Sequence, residues 1–222
     1  MKQIPLAIAT EAVQSFDNFL AGANVQVVAH LQALNAQSAP VYLWGSHGSG
    51  KTHLLRARAH QAQQQGAGAG YFSPHDPPPW HFDEGWALVA LDDCDALDAD
   101  QQHAAFTLFL DAQAGGVSVL AAGALPPVDL PLREDLRTRL GWGHVFALQP
   151  LAEPEVRAAL RREADRRGVF LSDDVMDYLM TRFARDLKHL MARLDRLDRF
   201  SLATKRVITV PLLKQMLAED EA

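Results

Sequence analysis

The stretch Gly45-Ser46-His47-Gly48-Ser49-Gly50-Lys51-Thr52 decides how the rest of the chain is read. It fits G-x-x-x-x-G-K-[ST] at every fixed position. Glycines let a loop curl so that its backbone N–H groups point inward at an anion, because only glycine takes the required dihedrals freely. The apolar run VYLW (41–44) before it predicts a short buried strand, and the residues after it predict a helix from Lys51 to Gln64. Such a helix turns its positive end toward the same anion. Gly45 through Thr52, with the adjoining His53, are therefore candidates for binding nucleotide phosphates. Lys51 is expected to reach the β and γ phosphates and Thr52 to place its hydroxyl on Mg²⁺.

An acidic partner for such a loop is expected at the carboxyl end of another strand of the same sheet. WALVAL (86–91) is apolar at every position, as in a strand covered on both faces, and Asp92 and Asp93 follow it. Asp92 is the candidate magnesium-side carboxylate. Asp93 is the candidate for orienting or deprotonating a water.

The pattern spreads outward from these two segments. Residues 24–36 place Val25, Val28, Leu31 and Leu34 at helical spacing. GAGAG (66–70) reads as a flexible connection into a strand near 71–73, and PHDPPPW (74–80) as irregular chain, since three prolines cannot continue a helix or central strand. Residues 98–114 read as a helix and 115–123 as a turn and buried strand. The alternation predicts an α/β fold, a P-loop core with a parallel sheet flanked by helices. From Glu153 onward the pattern is helical, over about 153–167, 173–181, 184–199 and 211–218, with strand character at 207–210. The expected divisions are a tail at 1–15, a nucleotide-binding core at 16–150 and a small helical lid at 151–222.

Composition narrows the function. Of 222 residues, 48% are hydrophobic and 22% charged, ordinary for a globular protein. No apolar run approaches the ~18 residues of a membrane span. The single cysteine, Cys94, leaves no internal disulfide, and the N-terminus lacks a secretory pattern, so a cytoplasmic location is expected. Residues 1–150 hold 7 Lys and Arg against 14 Asp and Glu, while 151–206 hold 13 against 10. That distribution is poorly suited to gripping DNA directly, which needs a concentrated positive face. Nine scattered histidines show no zinc-site spacing, and no serine sits in a G-x-S-x-G elbow.

Several segments in series resemble the bacterial initiator DnaA, within the AAA+ class: FDNFLAG-N (16–24), GKTHLL (50–55), the aspartate pair 92–93, RTRLGWG (137–143) and RDLKHL (185–190). The run from Leu190 to Leu217 is similar to the ending of the Hda family, short DnaA homologues that inactivate the initiator. No DNA-reading helix-turn-helix is expected after the lid. The resemblance implies five strands in the parallel core sheet. It implies that Arg139 is an arginine finger supplied in trans, with Arg137 as its competitor, and that Arg185 contacts bound nucleotide. It implies ADP, or ATP, with Mg²⁺ as cofactor, and DnaA as partner. It also implies binding to the DNA polymerase III sliding clamp (beta subunit) through an N-terminal peptide of Q-x-x-L type. Gln3, Ile4, Pro5, Leu6 and Ile8 offer that peptide, a flexible tail presenting an amide and apolar anchors to a preformed pocket. DNA would be met only indirectly or weakly, with no membrane role, and a homodimer is possible in principle. At the end of the fourth core strand the family often has a polar residue, whereas this chain has Ala121-Ala122-Gly123-Ala124. Slow hydrolysis of its own ATP is expected for that reason. Two other readings stay open, a self-contained ATPase acting as loader or remodeller, and a non-enzymatic tether.

Overall fold

The computed structural model of the chain describes residues 13–35, 38–183 and 186–220. The chain divides into two compact units. One comprises residues 1–45 with 50–148, the other residues 46–49 with 149–222.

The first unit is built on five parallel strands: β1 (Val41–Trp44), β2 (Gly68–Phe72), β3 (Trp86–Leu91), β4 (Ser118–Gly123) and β5 (His144–Ala147). Their order across the sheet is β2-β3-β4-β1-β5. Helices α1 (Val25–Gln32), α2 (Lys51–Gln64), α3 (Ala99–Ala114) and α4 (Glu134–Leu140) complete the unit. Alternation along each strand fills two layers. Leu43, Leu88, Ala90 and Leu120 pack with Leu31, Leu54 and Leu55 of α1 and α2. Tyr42, Val89, Leu91 and Val119 pack with Leu108, Phe109 and Leu136 of α3 and α4. A sheet covered on both faces has no need of polar alternation, which is why WALVAL carries none.

Local chemistry sets the helix ends. Asp98 accepts from Gln101 N at 2.9 Å while the Gln101 side chain accepts from Asp98 N at 3.0 Å, a reciprocal cap that starts α3. Of the expected inward face at α1, Val28, Leu31 and Leu34 pack into the core, Val27 joins them, and Val25 is 61% exposed.

The GAGAG segment corrects the sequence reading. Gly68, Ala69 and Gly70 belong to β2 and pair with β3. A β-carbon on Gly70 would lie 2.4 Å from the Trp86 ring, and one on Gly68 2.7 Å from it. The glycines are small because an indole crosses the strand there, a contact invisible in a local reading of flexibility.

The second unit contains α5 (Glu153–Arg166), α6 (Asp173–Arg182), α7 (Leu187–Thr204) and α8 (Val210–Asp220). Its core joins Val156, Leu160, Met176, Leu179, Leu190, Leu194, Leu197, Leu212 and Leu213. Burying one such side chain is worth roughly 1.5–3 kcal/mol. The ion pairs around it, such as Arg157 with Glu153 and Asp177, are partly solvated, and surface pairs contribute about 0–1 kcal/mol. The apolar stripe therefore holds this bundle together. The strand expected at 207–210 does not form: residues 207–209 are irregular, Ile208 is buried among the helices, Val207 is 81% exposed and Val210 opens α8.

Gly143 fixes the β5 edge. His144 N donates to Pro40 O at 2.8 Å, and a β-carbon on Gly143 would lie 1.9 Å from that carbonyl. Backbone cannot yield as a flexible side chain can. Gly143→Ala is expected to cost about 3 kcal/mol or more in denaturant unfolding, among the large effects of point substitutions. A loss under 1 kcal/mol would mean β5 can pair without this approach.

Candidate functional site

The glycine-rich loop joins β1 to α2. Gly45, Gly48 and Gly50 have φ of 157°, 77° and 97°, so the last two hold conformations that a side chain would strain. Gly50 has a second constraint. A β-carbon there would lie 2.6 Å from the Phe19 ring. Phe19 is placed by the turn at 15–19, where Ser15 N donates to Asn18 Oδ1 at 2.9 Å and Phe19 N to Phe16 O at 3.3 Å. FDNF thus braces the loop from outside.

Two polar groups of the loop are buried. Lys51 is 8% exposed and its Nζ donates to Gly45 O at 2.7 Å. Burial lowers the Lys51 pKa, and the carboxylates Asp93, Asp92 and Asp95 push it back up. The Ser49 hydroxyl is 6% exposed and has no hydrogen-bond partner among the described residues. A buried orphan oxygen two positions before a buried lysine, where a glycine-rich loop enters a 14-residue helix, is the chemistry a phosphate group takes. Ser46 and Gly48 are exposed parts of the same turn, and Thr52 opens α2 half-buried. Within the second unit, His47 Nε2 lies 3.7 Å from the Asp186 carboxylate, and a β-carbon on Gly48 would lie 3.0 Å from Asp186 Cγ. Asp186 also caps α7 through Lys188 N at 2.9 Å.

His53 is turned elsewhere. Its Nε2 is 2.9 Å from Ser15 O and its ring 5.2 Å from Phe19, so it secures the 15–19 turn. The sequence grouped it with the loop because of adjacency alone. In a helix, successive side chains point in different directions.

Asp92 is 2% exposed and oriented by two donors: Tyr71 Oη at 2.6 Å and Asp93 N at 3.0 Å. Burial and this bond to Asp92 raise the Tyr71 pKa, keeping the phenol protonated as donor. Tyr71 had no local signal beyond strand patterning. Asp93 is exposed with φ of 47°, a left-handed conformation that aspartate tolerates. A Mg²⁺ ion would be held by Thr52 and Asp92, whose hydroxyl and carboxylate are the hard oxygen donors that ion takes.

Arg139 lies on α4, and its Nη1 donates to Gln113 Oε1 of α3 at 2.8 Å. Gln113 borders a groove with Pro40, Gly116, Val117 and the 66%-exposed Trp142. Pro40 immediately precedes β1, so this groove is at the amino edge of the sheet, whereas the glycine loop leaves the carboxyl edge. Arg139 and the loop of its own chain are therefore at opposite ends of the strands. Arg137 is half-buried on the same short helix. Gln113 is 26 positions from Arg139, beyond any local reading. Gln3, Ile4, Pro5, Leu6, Ile8 and Arg185 lie outside the described residues.

Comparison with known proteins meets these observations at both ends of the chain. The family described as the bacterial DnaA ATPase domain matches residues 11–70, and the family described as the Hda lid domain matches residues 153–217. The chain is a Hda/DnaA-like AAA+ protein. Domain III of the replication initiation protein DnaA from Thermotoga maritima has a TM-score of 0.76 at 17% identity, over 94% of this chain and 97% of that one. A replication initiator DnaA bound to AMPPCP and single-stranded DNA scores 0.69 at 19% identity, over 83% of this chain and 64% of that one. The chain thus spans less than two thirds of that initiator's length. The Thermotoga maritima RuvB Holliday junction branch migration motor scores 0.65 at 16% identity, over 92% and 71%. These likenesses show the AAA+ fold, a parallel five-stranded sheet flanked by helices, with a helical lid domain matched at 153–217. Among the described residues no helix is long and apolar enough to cross a membrane.

Two imidazoles make stability depend on pH. Burial lowers the His30 pKa, as does His144, whose ring is 4.6 Å away. Burial also lowers that of His53, partly countered by its bond to Ser15. Below the ordinary value of 6.5 the unfolded chain then binds more protons than the folded one, so stability falls as pH drops through that value. The melting midpoint is expected to be lower at pH ~5.5 than at ~7.5, with a smaller difference in a His30→Gln, His53→Gln double variant. A midpoint unchanged or raised at the lower pH would contradict this.

Proposed function

We propose that the protein is a negative regulator of chromosome replication initiation. In this reading the core (16–150) binds a nucleotide, ADP in the working form, the lid (151–222) adds Arg185 to it, and the tail (1–15) carries the peptide Gln3 to Ile8 for the sliding clamp. With the clamp loaded on DNA, the protein acts on DnaA bearing ATP and stimulates its hydrolysis, so that re-initiation is blocked. It works in the cytoplasm, near the nucleoid, with DNA met through its partners.

The observation that carries this reading is the position of Arg139. A guanidinium at the amino edge of the sheet is remote from a phosphate loop at the carboxyl edge. If it serves a nucleotide, that nucleotide belongs to another molecule. The DnaA likeness of the core supports DnaA as that molecule. Gln113 accepts from Nη1 of the guanidinium, and in this reading the other nitrogens meet an oxyanion. Arginine suits this task because its charge is permanent and its planar fork donates to two oxygens together. Charge builds on the phosphoryl oxygens in the transition state, and a donor placed there from outside is typically worth ~10³–10⁵ in rate.

The chain's own nucleotide site has a different character. A bound Mg²⁺–nucleotide would supply a polarised phosphoryl group. Lys51 and the loop N–H groups would hold its phosphates, and Tyr71 would keep Asp92 aimed toward the ion's side of the site. At the end of β4, Gly123 and Ala124 carry no polar side chain of their own, and Asp95, which reaches that end, accepts from Ala124 N. In this reading the site binds in preference to turning over.

Hydrolysis of ATP by DnaA, measured with DNA-loaded clamp and this protein, tests the reading. The wild type should stimulate. Arg139→Ala should lower the stimulated rate by about 10³-fold while leaving nucleotide and clamp binding intact. Arg139→Lys should fail to restore it, since the bidentate fork is lost. Full stimulation by Arg139→Ala would remove the finger assignment.

A further inference from the structure

Two of the scattered histidines meet around one carboxylate. His47 comes from the glycine-rich loop and His189 from the first turn of α7, while Asp186 caps that helix. All three lie in the second unit, to which residues 46–49 belong. Each offers one donor atom, and the three donor atoms lie within 4.8 Å of one another. His189 Nδ1 is 2.6 Å from Asp186 Oδ2, and His47 Nε2 is 3.7 Å from the same oxygen. Sequence spacing does not show this cluster, because its third member comes from a distant loop.

The carboxylate is held and the imidazoles have room to turn. The Asp186 side chain is 11% exposed, and its Oδ1 accepts from Lys188 N at 2.9 Å. That bond leaves Oδ2 to the two imidazoles. Gly48 lets the loop come this close, since a β-carbon there would lie 3.0 Å from Asp186 Cγ. The His47 and His189 side chains are 89% and 65% exposed, with ring centroids 6.3 Å apart. On a tetrahedral ion with bonds of ~2.0–2.1 Å, two donors sit about 3.3 Å apart. The two distances to Asp186 Oδ2 fall on either side of that spacing. Rotation of the exposed rings supplies the adjustment.

We propose that His47, Asp186 and His189 form a binding site for a divalent metal ion of the zinc class, which clasps loop residues 46–49 to the start of α7. Two imidazole nitrogens and one carboxylate oxygen are donors that zinc takes, with a fourth position left open to water. Mg²⁺ takes oxygen donors, so this site differs in kind from the pair Thr52 and Asp92. The bond from Lys188 N orients the carboxylate, as outer partners do at metal sites. An ordinary surface ion pair needs one imidazole. Here two converge on the single oxygen that the backbone leaves open, which is the arrangement a cation requires. An entering ion displaces the proton that bridges His189 Nδ1 and Asp186 Oδ2, and that proton leaves to solvent. The site stands whatever the loop binds.

Calorimetric titration of the metal-free, tag-free full chain with Zn²⁺ alone tests the site. Nucleotide is left out, and excess Mg²⁺ is present to fill oxygen-donor sites. The wild type should bind one ion per chain with micromolar or tighter affinity. His47→Ala and His189→Ala should each weaken binding about 100-fold or more, at or beyond the 10–100-fold cost of losing an outer partner. Asp186→Asn should weaken it too, while its amide oxygen still caps α7 and keeps the metal-free melting midpoint. His81→Ala, at an exposed histidine outside the cluster, should bind as the wild type does. Zn²⁺ should raise the melting midpoint of the wild type and of His81→Ala but not of the three cluster variants. A merely structural His–Asp contact would lower the metal-free midpoint of the histidine variants and leave Zn²⁺ affinity unchanged. That outcome overturns the inference, as does a wild type that binds no Zn²⁺.

Discussion

The pairing of Val41–Trp44 on both sides is the constraint on which the first unit depends. This strand is central, bonded to Leu120–Gly123 on one flank and His144–Ala147 on the other. Its carboxyl end releases the glycine loop, and its amino end, at Pro40, receives His144 and the close approach of Gly143. The two ends of one four-residue strand thus separate the glycine loop from the edge where Arg139 lies. Parallel pairing keeps them at opposite edges, so a single chain can present one without reaching it with the other.

Around that strand, polar groups are placed by neighbours in space. Asp92 is aimed by Tyr71 from β2, Arg139 by Gln113 from α3, and the loop glycine Gly50 is pressed by Phe19. Each holds a functional group from outside its own motif. Buried charges need such partners, because an unsatisfied polar group in a dry interior costs about 1–3 kcal/mol. The Ser49 hydroxyl is an exception, and a buried polar atom left open in a binding loop points to a ligand oxygen as its partner.

The local signals in the chain reached far. The loop at 45–52, its flanking strand and helix, the apolar strand 86–91 and the helical second half are all legible in the sequence because each depends on short-range patterning. What was not legible depended on distant side chains. GAGAG reads as flexible until the Trp86 indole is seen across it. His53 reads as part of the loop until its bond to Ser15 turns it away. The end of β4 reads as apolar until Asp95, 29 positions earlier, is found on Ala124 N. The roles proposed for Arg139 and Arg185 come from the family resemblance, since no spacing rule could suggest them.

The most direct measurement of the central claim is a crystal structure of the full chain with Mg·ADP. The account predicts the diphosphate in the 45–52 loop, Lys51 Nζ moved from Gly45 O onto a phosphate oxygen, the Ser49 hydroxyl partnered, and Arg139 still at the far edge of the sheet. ADP bound elsewhere, or an unchanged Lys51–Gly45 bond with the nucleotide present, would contradict it.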